Sequence, residues 1–375
     1  MTEFLIEGKK FFMPEDFSSK TDFVVKSVPQ DYPVTIKNNP DIVEEIQQLL
    51  DSNERNLLLV DERVYGLYFK DLKIDENRLY KAKATEEFKT LEGVVDVVAF
   101  LEKNEFTKGE KLIVIGGGII EDVGAFVGAA YKRGIKWVYY PTTLLSMCDS
   151  CIGGKTGINH HGVKNQLALF SAPCEVVINI AFLKTLSEFD IKSGMGEILK
   201  LLVTGGKTPL QVYIDNVVNG KVKNFESYKP LILSSLAVKK AVVEEDEFEK
   251  YYRKSLNYGH TVGHAIEALS NYKIPHGQAV IMGMVIVNKI AMDRGLLNQE
   301  DYELTQTLSK ELLGKSILKE VNLNGLDKLL KKDKKTTGNL VNFVIISELG
   351  DTKFLKIELD EKLTAEIEQI ILREF

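Results

Sequence analysis

The sequence has little cysteine, no strong charge of one sign and no long apolar run, and each shortage excludes a class of protein. Cys148, Cys151 and Cys174 are the 3 cysteines of 375 residues, an odd and low count that gives no disulfide framework. The 48 basic and 54 acidic residues leave a net charge of −6. That balance offers no global attraction to nucleic acid or to an anionic membrane, so any phosphate binding has to be local. No apolar run approaches the roughly 20 residues needed to span a bilayer, and the N-terminal Met-Thr-Glu-Phe-Leu-Ile-Glu lacks a signal-peptide pattern. The expectation is a cytoplasmic protein with no nucleic-acid or membrane partner. Its length and 44% hydrophobic content suit two domains with separate cores.

The first half alternates in period. Residues 56–60 and 111–115 read as short buried strands, 84–103 as a helix, 122–133 as a second helix and 137–140 as a strand ending at Pro141. Such a β-α-β series implies a parallel sheet. From about Phe182 the pattern lengthens into helices over 191–202, 230–247, 255–270, 277–294 and 301–313, with two β-rich segments at 339–346 and 353–357 before a final helix. The expected organisation is an α/β domain over 1–181 and a mainly helical domain over 182–375. With no repeat or low-complexity linker, a broad interface between them is expected, and such a cleft is where ligands usually bind.

Histidine is also scarce, but its 5 residues are grouped. His160 and His161 lie beside Lys164-Asn165. His260 and His264 are four apart, which on a helix puts both imidazoles on one face, and His276 returns after a Lys-Ile-Pro turn. Two or three neutral imidazoles and one carboxylate make a site for a divalent metal with a position left open. Glu197, one helical turn before Lys200, is the candidate carboxylate; the plain alternative is a surface ion pair.

Other motifs are less specific. Gly116-Gly117-Gly118, after a buried strand and before a helix, would let a diphosphate approach backbone amides, although glycine turns also serve packing. Gly153-Gly154-Lys155-Thr156 resembles the end of a P-loop, but the upstream glycine would fall on Asp149, so an ATP-binding loop is rejected. Cys148-x-x-Cys151 has the spacing of zinc and redox pairs; without a second such motif the alternative is two small fillers beside Asp149. Arg133, Asp149, Lys155, Lys164 and Asn165 form a dense set suited to a phosphorylated, hydroxyl-rich ligand. The basic run from Lys328 through Lys334 and Lys335 is either a solvated helix end or part of such a set.

These motifs occur in an order that resembles 3-dehydroquinate synthase. The series is Gly116-Gly-Gly-Ile-Ile-Glu-Asp122, Arg133-Gly134, Pro141-Thr-Thr-Leu-Leu145, Asp149-Ser150, Gly153-Gly-Lys-Thr-Gly-Ile-Asn159, Lys164-Asn165, Leu183-Lys-Thr-Leu186, Gly196-Glu197-x-x-Lys200, Arg253-x-x-Leu-Asn257-x-Gly-His-Thr-x-Gly-His264 and His276-Gly277. It runs from about Val60 to Lys335. The resemblance implies a Rossmann-like NAD domain, a helical metal domain, an active site between them and a homodimer. It implies zinc, with cobalt or another divalent ion as alternatives, on Glu197, His260 and His276. His264 resembles the histidine near the departing phosphate. Lys155, Asn165 and Lys334 or Lys335 resemble phosphate and substrate contacts, with Arg133 reaching a partner's site. Asp149, Lys200 and Asn257 resemble residues around the substrate hydroxyls, and the pair Lys239 and Arg253 resembles the one that holds a substrate carboxylate. On the NAD side the similar positions are Asp61, Glu86, Lys89, Gly117, Gly118, Asp122, Thr142, Thr143, Lys164 and Thr185.

The reaction so implied begins with transient NAD-dependent oxidation of a ring carbinol, which acidifies the neighbouring C–H for phosphate elimination. Re-reduction, ring opening and an intramolecular aldol follow, so NAD is regenerated each turn. The implied substrate is the sugar phosphate 3-deoxy-D-arabino-heptulosonate 7-phosphate. Three departures stand out: Glu121 and Ala168 replace glycines, and Gly196 replaces the usual alanine. The segment to about Pro33 is also longer. Valiolone synthases share a bulkier residue at position 121 and a longer N-terminus, but lack the counterparts of His264 and Asn257. Retained Lys239 and Arg253 favour a carboxylate-bearing substrate. The alternatives are a cyclase acting on an amino analogue, on sedoheptulose 7-phosphate or on glucose 6-phosphate. More distant are a metal-dependent polyol dehydrogenase and a non-catalytic binder.

Overall fold

A computed structural model describes the whole chain except residues 53–54, 221, 223, 314–322 and 333–338. It contains two compact units. One comprises Ser19–Leu186 with Val222–Lys229, and the other Met1–Ser18, Ser187–Lys221 and Pro230–Phe375. A single break after residue 181 therefore does not describe the division, because the first 18 residues belong with the C-terminal unit.

The chain opens with a hairpin, β1 (Thr2–Ile6) and β2 (Lys9–Met13), turned by Glu7 and Gly8 at φ 50° and 77°. Alternation buries Phe4, Ile6, Phe11 and Met13 on one face. The unit of residues 19–186 then contains β3 (Asp22–Val25), β4 (Tyr32–Lys37), α1 (Ile42–Leu50), β5 (Asn56–Asp61), α2 (Glu62–Tyr68), β6 (Leu79–Ala82), α3 (Leu91–Lys103), β7 (Lys111–Gly116), α4 (Gly118–Ala130), β8 (Lys136–Pro141), the hairpin β9 (Lys155–His160) and β10 (Val163–Phe170), and β11 (Glu175–Asn179).

Seven of these strands form a sheet in the order β3-β4-β11-β8-β7-β5-β6, parallel throughout except for the β3–β4 pair. Leu57 to Val60 and Leu112 to Ile115 are fully buried, which explains their unbroken apolar runs. Strand β5 lies between β6 and β7, so the order reverses there, and the carboxyl ends Asp61 and Gly116 flank the kind of crevice where open α/β sheets take ligands. Two helices differ from expectation. The Thr90 hydroxyl accepts from the Gly93 amide at 3.4 Å and starts α3 at residue 91, after turns over 84–90. Helix α4 starts at Gly118 and ends before Lys132, Arg133 and Gly134, whose positive φ values make a tight turn.

The other unit contains α5 (Glu188–Gly205), α6 (Lys207–Tyr213), α7 (Lys229–Glu245), α8 (His260–Leu269), α9 (His276–Asp293), α10 (Gln299–Leu313), α11 (Leu326–Lys332), β12 (Leu340–Glu348), β13 (Asp351–Glu358) and α12 (Glu361–Glu374). Helix α9 is buried along almost its whole length, as a helix apolar on all faces requires. Strands β12, β13, β1 and β2 make a second sheet in that order. The helix expected from residue 255 begins only at His260, because Gly259 at φ 77° breaks it from a 3₁₀ turn over Tyr252–Asn257. Among the described residues, no helix is long and apolar enough to cross a membrane.

Candidate active site

Three helices meet at the histidine cluster. Glu197 and Lys200 lie mid-way along α5, His260 and His264 occupy the first and fifth positions of α8, and His276 opens α9. One ligand nitrogen from each histidine falls within 4.8 Å of the others. Glu197 Oε1 stands 3.5 Å from His260 Nε2 and 3.3 Å from His276 Nε2. Ligands about 2.0–2.1 Å from a tetrahedral zinc lie roughly 3.3–3.4 Å from one another, so these separations fit a divalent ion. His264 is exposed and packs its ring 5.3 Å from that of His260.

Hydrogen bonds to the second ring nitrogens fix the orientation of both imidazoles. His260 Nδ1 faces the Tyr258 carbonyl at 3.1 Å, and His276 Nδ1 faces Glu267 Oε2 at 3.1 Å. Such outer partners leave Nε2 aimed inward and make the imidazole a better ligand. Burial opposes a charge on His276, but its hydrogen bonds with Glu197 and Glu267 outweigh this, and the pKa is pushed up to about 10. Sequence reasoning missed Glu267, although its position three residues after His264 puts it on that face of α8. Glu197 and Lys200 are not a surface pair: both side chains are 2% exposed, with Lys200 Nζ donating to Glu197 Oε2 at 2.5 Å. The lysine thus balances the buried carboxylate on one oxygen while the other faces the imidazoles.

Glycines allow the helices this close. A Cβ on Gly196 would lie 2.2 Å from the Gly277 carbonyl oxygen, and one on Gly277 would lie 1.8 Å from the Ser193 carbonyl oxygen. The Gly277 amide donates to Ser193 Oγ at 3.2 Å across the same contact.

Lys239 on α7 and Arg253 in the 3₁₀ turn are both buried. An Arg253 Nη1 donates to the Glu247 carbonyl, and its backbone amide donates to Asp246 Oδ2 at 3.0 Å. Asn257 donates to Glu249 Oε1 at 2.8 Å.

In the sheet unit, the glycine turn is a cradle. Gly117 caps α4, and a Cβ there would meet the Thr143 methyl at 2.8 Å, whereas Gly118 has nothing within 4 Å. Thr142 N donates to the Gly116 carbonyl at 3.0 Å, and Asp61 caps α2 through the Arg63 amide at 2.8 Å. Open space at a glycine-capped helix N-terminus fits a diphosphate. Asp122 holds Lys89 at 2.5 Å and accepts from the Gly157 amide at 3.0 Å. Burial lifts the Asp122 pKa above its ordinary value despite Lys89. Glu86 pairs with Lys164 at 2.8 Å and accepts from Asn159 at 2.7 Å. Those bonds overcome burial and hold its pKa down. Thr185 Oγ1 lies 2.7 Å from the Tyr68 hydroxyl.

Asp149 sits half-buried in a π-helical turn over Ser146–Ser150; Cys148 and Cys151 are buried and not disulfide-bonded. Lys155 and Asn165 lie exposed on β9 and β10, with Asn165 at φ 54°, and Arg133 is exposed in its turn. His160 and His161, at the tip of that hairpin, pack against each other with tilted rings, centroids 4.0 Å apart, and belong to neither cluster. Lys334 and Lys335 lie outside the described residues.

Family models for 3-dehydroquinate synthase match in sequence order, the N-terminal one over residues 79–193 and the C-terminal one over 194–336. The chain belongs to the 3-dehydroquinate synthase family. It is similar to the 3-dehydroquinate synthase of Streptococcus equi subsp. equi (strain 4047), 34% identical over 348 residues that cover 90% of this chain and 95% of that protein. A structure of 2-deoxy-scyllo-inosose synthase with carbaglucose-6-phosphate, NAD+ and Co2+ shares the fold, with a TM-score of 0.76 at 20% identity over 93% of this chain and 99% of that one. So does 2-epi-5-epi-valiolone synthase from Streptomyces hygroscopicus subsp. jinggangensis 5008, with NAD+ and Zn2+ bound, with a TM-score of 0.76 at 22% identity over 94% and 99% of the two chains.

Within the 3-dehydroquinate synthase family the three departures have local explanations. Glu121 is buried and accepts from Ser150 Oγ at 2.5 Å, tying the glycine helix to the turn that carries Asp149. Ala168 is exposed opposite Gly157, where a methyl is tolerated. Gly196 is required by the approach of α5 to α9.

Proposed function

We propose that this chain is a 3-dehydroquinate synthase that converts 3-deoxy-D-arabino-heptulosonate 7-phosphate with catalytic NAD and a divalent metal, and that it works as a homodimer. The carrying observation is the buried Glu197–Lys200 pair facing His260 and His276 at ligand spacing, in a chain of this family. When bound, zinc supplies Lewis acidity at a substrate hydroxyl and NAD a reversible hydride acceptor.

The protein's part is to bind, orient and move protons. Glu197, His260 and His276 hold the metal, and Lys200 pairs with the second oxygen of Glu197 and so orients it. Asp61, Gly117, Gly118, Asp122, Thr142, Thr143 and Thr185 hold NAD, with Glu86, Lys89 and Lys164 shaping the hairpin beside Asp122. Lys239 and Arg253 receive the substrate carboxylate, where buried cations give strong charge-assisted hydrogen bonds. Asn257 and Asp149 serve the hydroxyls. His264, exposed beside the ligand histidines, exchanges a proton near the departing phosphate. Lys155, Asn165 and Lys334 or Lys335 hold that phosphate, and Arg133 in its exposed turn reaches a partner subunit. Fixing both anionic ends restrains the flexible intermediate for ring closure.

Phosphate release with catalytic NAD and zinc tests this, offering the acid substrate beside sedoheptulose 7-phosphate and glucose 6-phosphate. Fast release from the acid alone is expected. Release from a neutral sugar phosphate alone would move the chain to another cyclase branch, and net NADH from a simple polyol would make it a dehydrogenase. Sedimentation tests the dimer, and a monomer at assay concentration would remove that role for Arg133.

A further inference from the structure

We infer that the N-terminal hairpin β1–β2 positions Arg253, and so sets the affinity of the site for the substrate carboxylate. The inference deepens the reading above and rests on it.

Arg253 follows two aromatic residues, and the hairpin reaches Tyr252 directly and Tyr251 through β13. The Phe11 ring meets the Tyr252 ring edge-on at 5.6 Å, and Lys9 Nζ lies 4.8 Å from the centre of the same ring. Tyr251 packs edge-on against Phe354 of β13 at 5.8 Å, and the Phe354 amide donates to Glu7 Oε1, in the hairpin turn, at 2.5 Å. Lys9 also pairs with Glu245, the last residue of α7. Helix α7 carries Lys239, so Lys9 joins the two segments that bear Lys239 and Arg253. The hairpin is itself well anchored. Phe11 is 4% exposed and Ile6 fully buried, and the Glu7 amide donates to the Thr352 carbonyl at 2.9 Å.

The turn over Tyr252–Asn257 has little regular structure of its own. Asp246 holds it from one side by accepting the amides of Lys250, Tyr251 and Arg253 at 2.9, 2.8 and 3.0 Å. The hairpin holds it through Tyr252, and β13, itself bonded to Glu7, through Tyr251. A side chain on such a segment is only as well placed as the backbone beneath it, and a small displacement weakens a charge-assisted contact. Lys9, Phe11 and Glu7 are therefore positioning residues that act through Tyr251 and Tyr252.

The test uses the full-length zinc- and NAD-loaded protein with Lys9→Met, Phe11→Ala and Lys9→Arg. Lys9→Met alters a side chain that is 34% exposed and leaves the buried face intact, so it remains informative should Phe11→Ala fold poorly. Two readouts are taken: amide hydrogen exchange over residues 250–257 against 260–266, and KM and kcat for the acid substrate. Faster exchange over 250–257 alone is expected, with KM raised roughly three- to fivefold, the scale of one cation–π contact. Turnover and zinc affinity should hold, and Lys9→Arg should restore both readouts. A merely structural role would lower the active fraction without moving KM. Unchanged exchange over 250–257 in both loss variants overturns the inference, as does unchanged KM where the wild type turns over the acid. Faster exchange in a protein whose wild type does not use the acid would uphold the positioning and sink the substrate reading.

Discussion

Gly196→Ala introduces one methyl group at the point where α5 and α9 touch. Its Cβ would lie 2.2 Å from the Gly277 carbonyl oxygen, 2.6 Å from the carbonyl carbon and 2.9 Å from Cα. All three are backbone atoms, so no rotamer change relieves the clash. Recovering an ordinary contact of about 3.2–3.5 Å requires the helices to separate by roughly 1 Å, and overpacking of this kind costs about 1–3 kcal/mol. The displacement falls on the metal site, because Glu197 is the next residue and its Oε1 is 3.3 Å from His276 Nε2. Spreading a ligand set that much is expected to weaken zinc about 10- to 100-fold, the range seen when ligand support is removed. Competition against a chromophoric chelator measures the affinity, and thermal unfolding of the metal-free protein measures the overpacking at about 2–4 °C per kcal/mol. Wild-type zinc affinity together with an unshifted transition would refute the view that the bare helix contact sets ligand spacing.

His260→Ala should abolish metal binding and lower turnover more than about 100-fold with circular dichroism unchanged, since the ligand is lost and the helix is not; substantial activity in a metal-stripped preparation would remove the assigned role. Zinc uptake should tighten as pH rises from 6.5 towards about 10, because the raised His276 pKa means that the ion must displace a proton there. By the same sign, in the metal-free protein His276 contributes stability that is fully present below its unfolded pKa and lost as pH rises through about 10. Isothermal titration in buffers of different ionisation enthalpy reads the proton, and no proton release between about pH 7 and 9 would contradict it. Asp122→Ala should destabilise the protein by about 3 kcal/mol, since it leaves the buried Lys89 ammonium without its carboxylate, and should lower NAD affinity; an NAD affinity equal to wild type would argue that Asp122 serves only the hairpin.

The β-α-β run was legible because buried parallel strands are continuous apolar segments, as Leu57 to Val60 and Leu112 to Ile115 show. Strands β3, β4, β9 and β10 were not. Strands β3, β9 and β10 mix polar and apolar residues without a clean alternation; β4 does alternate, burying Tyr32, Val34 and Ile36, but it is short and interrupted by Pro33. Helix ends shifted where a single residue decided them, Thr90 by capping α3 and Gly259 by adopting a left-handed conformation. Glu267 escaped notice because a helical glutamate is ordinary until its neighbour across the helix pair proves to be His276.

What the sequence determined by itself was the inventory and its order: imidazoles four apart on one helical face, a glutamate and lysine one turn apart, and a glycine run after an apolar strand. These follow from covalent spacing and helical or strand period, which need no partner. Tertiary structure alone decided which of these groups meet. It buried Glu197 with Lys200, aimed two imidazoles at that carboxylate and joined the first hairpin to the segment bearing Arg253. Each of these depends on the close approach of elements far apart in the chain, and that approach depends on what glycine leaves empty and what a buried ring fills.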